Sequence, residues 1–428
     1  MDFEVVVIGG GPAGTQCALD LASAGTSVVV LEQRPLQDSS YVPCLIGPKL
    51  EATFGDYPNN IIEGECALYR IIASKEYVEV PASVTNPPQP HLGHFANKYA
   101  LIAHDRECAS DAGAVYHYET KVTRVNFSAD HIEVETSNPD IPRVTGEVAV
   151  LAPGVHRFSN SFLTQLQLPV PKTVQVVWRT YNLSPDVALE QPCHFGLIWN
   201  QKISQHSYIA YYNYPTGFFI GLLDFGRTLA EMTNILRDVC ERHKLVAPLL
   251  AGATQTLIIS EDEEYECPRE IISPTYKDRL LILGDAAGFV NTFVREGIFQ
   301  AKISGQCAAE TILEARQTGH YHSANLSGYE RRWKEKLDEA NLRPGRASAY
   351  LFYDTGKLDT VANALVTALK REQAAGKSRF QNLYLSSMIA PTYSRANDVE
   401  WTKALLGAMP LADKAVMTPR FLKAAFVK

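Results

Sequence analysis

The spacing of apolar positions changes several times along the chain. Phe3 to Ile8 (FEVVVI) is an unbroken, β-branched run, the pattern of a parallel strand buried on both faces. The turn Gly9-Gly10-Gly11-Pro12-Ala13-Gly14 follows, then Thr15 to Ala24 reads as a helix stopped by Gly25. Ser27 to Leu31 (SVVVL) is a second strand ended by Glu32, which completes a β-α-β unit. Short β-like runs and a proline-rich loop fill Cys66 to Pro90, and Tyr99 to Ala112 reads as a helix. Val115 to Phe127 and His131 to Thr136 alternate like antiparallel strands. Glu147 to Leu151 returns to a buried strand ending in Ala152-Pro153-Gly154, and Val174 to Ile220 has the alternation of an antiparallel sheet. Arg279 to Leu283 is a further buried strand running into Gly284-Asp285-Ala286-Ala287-Gly288, with a helix from about Glu296. From about Leu326 the chain is charged and helical in period, with breaks at Pro344-Gly345 and Gly376.

The 428 residues fit two or three domains, and 46% apolar with 20% charged residues is an ordinary globular balance. A net charge of −7 argues against a broad nucleic-acid surface. No signal peptide is visible, and no apolar run reaches the ~20 residues of a membrane span. The expectation is a cytoplasmic protein, with at most peripheral membrane contact. The cysteines Cys17, Cys44, Cys66, Cys108, Cys193, Cys240, Cys267 and Cys307 form no CxxC pair and have no histidine cluster beside them in sequence. That argues against a zinc or iron–sulfur motif, so no metal ligand is expected. Most of these thiols read as small core residues.

Gly9, Gly11 and Gly14 fit the dinucleotide fingerprint GxGxxG. The first glycine permits the tight turn, the second admits a pyrophosphate, and the third lets helix and strand pack closely. The helix N-terminus then faces the anion with free N–H groups. Glu32 follows at about the 20-residue spacing of a carboxylate that binds a ribose diol. The second motif, RLLILGDAAG, favours FAD over NAD, because one nucleotide half has no use for it. Asp285 can reach the ribityl chain, and the following helix can aim its N-terminus, near Gly297 and Ile298, at the isoalloxazine.

GGGPAG, LEQR, LAPGVHRFS and LLILGDAAGFVNTFVREGI resemble the flavoproteins with the para-hydroxybenzoate hydroxylase fold. Within these the chain is most similar to the geranylgeranyl reductase family, which saturates isoprenoid double bonds. The resemblance implies an α/β (α+β) chain: a Rossmann-type FAD-binding domain (1–60, 92–165, 270–320) interleaved with an antiparallel-sheet substrate domain (61–91, 166–269), plus a C-terminal helical region (321–428). It implies FAD contacts from Gly9, Gly11, Pro12, Ala13, Gly14, Glu32, Gln33, Arg34, Val122, Ala152, Gly154, Gly284, Asp285, Gly297 and Ile298. Lys98 stands about where the fold usually offers an arginine, with charge but no planar fork.

In VPCLIGPKL, Cys44 matches the family's cysteine loop near the flavin, while Leu45 and Ile46 stand where the family has glycine. In GDAAGFVNTFVREGI, Thr292 replaces a proline and Arg295 a glycine. YYNYPTGFFIG resembles the family's Tyr-x-Trp-x-Phe-Pro signature, with Tyr212 and Tyr214 in place of tryptophan and phenylalanine. Alternation places Tyr212 and Tyr214 on one face and Tyr211 on the other. Cys44, Tyr212 and Tyr214 are the catalytic candidates, as a thiol beside the flavin and as a cavity wall or proton donors; small-core and sheet-packing roles are the competing readings.

The leading expectation is an FAD-dependent reductase acting on a hydrophobic, isoprenoid-like substrate. Its electron donor is either NAD(P)H or reduced ferredoxin, the latter a protein partner. An FAD monooxygenase or halogenase of the same fold, and a flavoprotein electron carrier without a small organic substrate, stand beside it. The tail Met417 to Lys428 either lies on an anionic membrane surface or packs as a terminal helix.

Overall fold

The structure is a computed structural model and describes residues 2–36, 40–85, 90–155, 157–183, 192–215, 217–258, 265–381, 384 and 395–424. The elements begin with β1 (Asp2–Ile8), α1 (Pro12–Ser23), β2 (Val28–Leu31), β3 (Pro43–Ile46), α2 (Pro48–Phe54), β4 (Ile62–Glu65), β5 (Leu68–Ile72) and β6 (Tyr77–Pro81). Next come β7 (His94–Asn97), α3 (Lys98–Asp111), β8 (Val115–His117), β9 (Val122–Phe127), β10 (Ile132–Thr136), β11 (Arg143–Leu151) and α4 (Arg157–Gln165). The middle holds β12 (Thr173–Asn182), β13 (His194–Ile198), β14 (Ile209–Tyr214), β15 (Gly217–Asp224), α5 (Leu229–Arg242), β16 (Thr254–Ile258), β17 (Tyr265–Pro268), β18 (Tyr276–Lys277) and β19 (Leu280–Ile282). The main later helices are α6 (Ile298–Thr318), α7 (Gly328–Trp333), α8 (Arg343–Ala349), α9 (Leu358–Ala374), α10 (Arg395–Ala408) and α11 (Leu411–Ala424).

The chain forms two compact units. The first comprises Met1–Val42, Lys98–Thr173 and Glu266–Asp338. Its sheet runs β18-β19-β11-β1-β2-β8, with β10 beside β11 and β9 beside β10. The β-branched run of β1 lies between two parallel partners, β2 and β11, and Val5, Val6 and Val7 are fully buried. No polar side chain is tolerated there, which is why the run is unbroken. Helix α6 packs on α1 so closely that a Cβ at Gly305 would lie 2.4 Å from the Ala13 carbonyl oxygen. A buried ion pair joins α3 to α6: Lys302 Nζ donates to both oxygens of Asp105, at 2.9 and 3.0 Å.

The second unit comprises Pro43–Asn97, Val174–Tyr265 and Glu339–Lys428. Its main sheet runs β16-β12-β15-β14-β13-β5-β6, and a small sheet runs β3-β7-β4. Helix α5 starts on a capping box between Thr228 and Glu231 and buries Met232, Leu236, Val239 and Cys240, one face at helical spacing. That face covers Tyr211, Phe218, Ile220 and Leu222 of the main sheet. The C-terminal helices belong to this unit too. Lys370 of α9 pairs with Glu76 at 2.6 Å, and Trp199 Nε1 donates to Tyr353 Oη at 3.3 Å.

Several details differ from the pattern read along the chain. Val115–His117 pairs in parallel with β2, so only Val122–Phe127 is an antiparallel strand with β10. Residues 43–60 fall in the second unit, because β3 and β4 both hydrogen-bond to β7. Likewise residues 321–338 cluster with the first unit and 339–428 with the second. Pro344 does not end the helix: α8 follows directly on a helical stretch over Lys334–Leu342, and Leu342 itself has helical φ −71° and ψ −44°. VPCLIGPKL is a strand and a helix rather than a loop. The acidic run 261–264, and most of the proline-rich loop at 86–90, lie outside the described residues.

His194 on β13 gives the second unit a measurable pH dependence. Its Nδ1 faces the Pro192 carbonyl at 2.7 Å, and burial, then the Arg70 charge, push its pKa down to about 4. The folded pKa lies below the ordinary 6.5, so protonation favours the unfolded chain. Stability is therefore lost as pH falls from about 6.5 to about 4, by about 3 kcal/mol in all. Thermal melts across that window should show His194→Gln with a flatter acid limb; an unchanged slope would remove the histidine from acid denaturation.

Candidate active site

In the first unit, the turn between β1 and α1 is shaped by what its glycines lack. Gly9 has φ +99°, and a Cβ on it would meet the Ala152 carbonyl oxygen at 2.4 Å. A Cβ on Gly14 would fall 2.0 Å from the Gly9 carbonyl oxygen. At Gly11, by contrast, a Cβ would find nothing within 4 Å. Gly11 caps α1 without a side-chain hydrogen bond, and Pro12 opens the helix. The result is an open approach to a helix N-terminus whose first N–H groups have no intrahelical acceptor.

Glu32 lies beneath this turn and is 6% exposed. Its Oε2 accepts from Gly10 N at 2.8 Å and from Arg106 Nη2 at 2.7 Å, while Oε1 accepts from Arg34 N at 2.9 Å. A carboxylate has about four acceptor sites, so one is left on Oε1 for a hydroxyl. Arg106 also donates through Nε to the Gly10 carbonyl at 2.8 Å. Gly10 is a glycine because Glu32, Arg106 and Tyr116 close around it, within 3.4 Å of any Cβ. Arg34 stacks on Tyr99, 4.8 Å from the ring centroid. Val122 and Ala152 are buried, and Gly154 has φ +73°.

The second motif assembles at the start of α6. Gly284 has φ +58°, and its N–H donates to Ser304 Oγ at 3.0 Å. Gly297 caps α6 without a side-chain hydrogen bond, and a Cβ there would lie 3.0 Å from Asp285 Oδ1. Asp285, Gly297 and Ile298 are thus brought together. Burial pushes the Asp285 carboxyl up, and the Lys98 ammonium pulls it back. Cys267 shares these surroundings: burial raises its thiol to about 12, with Arg295 and Lys98 opposing. Cys267 and Arg106 carry no motif, and only the fold assigns them here.

The donor set fits FAD. An open glycine turn at a helix N-terminus suits a pyrophosphate, Glu32 keeps an acceptor for a ribose hydroxyl, and Asp285 offers acceptors for the ribityl chain. In holo protein these groups would hold the cofactor.

In the second unit, alternation along β14 divides the tyrosines. Tyr211 is fully buried and stacks on Phe218, with centroids 5.4 Å apart. Burial raises its hydroxyl to about 12, with Arg70 pulling it back. Tyr212 and Tyr214 face the other way, and both touch Phe95, at 5.6 and 5.9 Å. Tyr212 also meets Phe195 at 5.4 Å and Phe219 at 5.0 Å, and Trp178 extends the wall beyond Phe219. Cys44 is buried on β3 opposite Ala96, whereas Phe95 stands opposite Leu45. Successive strand residues point to opposite faces, so Cys44 lies on the face of the small sheet away from Phe95. The structure therefore unites Tyr212 with Tyr214 and leaves Cys44 apart from them.

The family model for pyridine nucleotide-disulphide oxidoreductases matches residues 3–167. Protein FixC of Bradyrhizobium diazoefficiens is 28% identical over 379 residues, 79% of this chain and 81% of that one. Digeranylgeranylglycerophospholipid reductase 2 of Methanopyrus kandleri is 24% identical over 399 residues, 87% of this chain and 91% of the relative. A geranylgeranyl bacteriochlorophyll reductase-like protein from Thermoplasma acidophilum superposes with a TM-score of 0.73 at 18% identity, over 99% of both chains. The halogenase PltM, solved with phloroglucinol and FAD, superposes with a TM-score of 0.65 at 14% identity, over 99% of this chain and 96% of that one. The chain is similar to FAD-dependent oxidoreductases of geranylgeranyl reductase-like type.

Arg295, which stands where the resembled family has glycine, has φ +54°, in the left-handed region that favours glycine. Holding a non-glycine residue there costs about 1–2 kcal/mol. Its Nη1 donates to the Pro268 carbonyl at 3.2 Å, which ties the strained turn down. No described helix is long and apolar enough to cross a membrane.

Arg106 is the cation of the nucleotide end. Arg106→Ala leaves Glu32 buried without its ion-pair partner, which costs about 3 kcal/mol or more. Flavin titration of the apo variant should show at least tenfold weaker FAD binding, and its thermal midpoint should fall. Unchanged affinity would remove Arg106 from the site.

Proposed function

We propose that this flavoprotein saturates a carbon–carbon double bond of a hydrophobic, isoprenoid-like substrate. The aromatic wall carries the proposal. Tyr212, Tyr214, Phe95, Phe195, Phe219 and Trp178 form a continuous apolar face that suits a long hydrocarbon and excludes water. Bound and reduced, FAD supplies the hydride. The glycine turn, Glu32 and Asp285 fix the cofactor's two ends. Tyr212 and Tyr214 orient the hydrocarbon, and the Tyr212 hydroxyl delivers the proton that completes the saturation. Electrons arrive from NAD(P)H or from reduced ferredoxin. The reductase names among the similar proteins support this reading, which also explains why the tryptophan and phenylalanine of the family signature can become tyrosines: all are aromatic wall residues.

The test is to photoreduce the FAD-loaded protein without oxygen and mix it with a geranylgeranylated lipid. Flavin colour should return and the lipid should gain two hydrogens per reacted double bond. Rapid reoxidation by oxygen alone, with the lipid untouched, would replace the proposal with a monooxygenase; reoxidation only by a protein would make it an electron carrier. Tyr212→Phe should retain FAD and lose about 10²-fold or more in kcat, the scale of a missing general acid. Cys44→Ala, on the other face of the small sheet, should leave kcat unchanged. Full activity in Tyr212→Phe would return that hydroxyl to a packing role.

A further inference from the structure

The second unit holds a cluster that the flavin chemistry does not use. Donor atoms of Glu65, His91 and His94 all lie within 4.8 Å of one another. We propose that they form a binding site for a divalent transition metal of the zinc class.

Backbone geometry builds the cluster. Glu65 on β4 stands directly opposite His94 on β7, a cross-strand pair whose side chains share one face. His91 is brought back beside His94 by Gly93, which has φ +129° and approaches the Ile46 carbonyl so closely that a Cβ would lie 2.3 Å from its oxygen. Two backbone bonds pin this turn to the end of β4: Leu92 N to Cys66 O at 2.7 Å, and Cys66 N to Gly93 O at 2.8 Å. The two imidazole centroids are then 4.1 Å apart.

The ring nitrogens are sorted as a metal requires. His94 Nδ1 lies 2.6 Å from Glu51 Oε1 on α2, so Nδ1 carries the proton and Nε2 the lone pair. A carboxylate that orients an imidazole through its far nitrogen is the usual outer partner of a metal-bound histidine. His91 Nδ1 accepts only a long bond, 3.3 Å, from Gly93 N, which a metal would displace. Glu65 is exposed and can swing inward. Tetrahedral coordination at about 2.1 Å needs donors about 3.4 Å apart, so a modest side-chain movement closes the site. Two imidazoles and a carboxylate select borderline cations, and three protein ligands leave a fourth position for water or another group. The bound ion would clamp α2, β4 and β7 together. The buried Cys66 thiol donates instead to the Leu68 carbonyl, at 3.4 Å.

The probe is Zn²⁺ added to the FAD-loaded protein in calorimetry, with Co²⁺ as a spectroscopic substitute. One equivalent should bind, the thermal midpoint should rise, and the Co²⁺ spectrum should show tetrahedral bands without a thiolate charge-transfer band. His94→Ala should abolish binding. Glu65→Gln alters an exposed residue and should weaken binding at least tenfold with flavin content unchanged. Glu51→Gln, a positioning change, should weaken it 10- to 100-fold. No saturable binding, equal binding by these variants, or a thiolate band would each overturn the proposal.

Discussion

Backbone packed against backbone is the constraint on which the nucleotide half of this protein depends. At Gly9, Gly14 and Gly305 a carbonyl oxygen stands where a side chain would begin, 2.0 to 2.4 Å from the position of a Cβ. These contacts bring α1 against the sheet and α6 against α1. They also point the N-terminus of α1 at the open space beside Gly11 and place the start of α6 beside Asp285. A methyl group at any of the three would have to push main chain aside, and side-chain repacking cannot relieve that. Glu32 and Arg106 then close the base of the turn through Gly10, which supplies one donor and one acceptor to them.

The two units meet different chemical demands. The first is built around polar groups held at fixed positions: a carboxylate with one acceptor site in reserve, a raised aspartate, and cations that balance them. The second packs aromatic side chains into a mostly buried cluster. Tyr211 and Tyr212 are adjacent in the chain, yet one is locked in the core under α5 and the other joins the opposite wall. Leu45 and Ile46, which replace glycines of the resembled family, have a physical counterpart here. Ile46 is fully buried and both residues pair with β7, so side chains at these positions support a strand.

The legible features were those written in local spacing. The glycine turn, Glu32, the Gly284–Asp285 motif and the division of the tyrosines follow from strand–turn–helix patterning or from the two-residue period of a strand. Arg106 was not legible, because its role depends on how α3 lies across the turn. Lys98, the cation nearest the expected position in sequence, acts instead on Asp285. Cys44 read as a loop thiol, because two prolines and a glycine suggested a loop. Pairing with β7 overrides that local signal. Nothing along the chain marked His91 and His94 as ligands, because Glu65 and Glu51 reach them only through strand register and the packing of α2.

The central claim is that the glycine turn, Glu32 and Asp285 together hold FAD. The most direct measurement is the small-molecule content of the purified protein, by mass spectrometry and by absorbance after reconstitution with FAD. The account expects one FAD per chain, and a marked loss of it in Asp285→Ala. Protein that is folded by its thermal transition yet shows no flavin absorbance after reconstitution would contradict it.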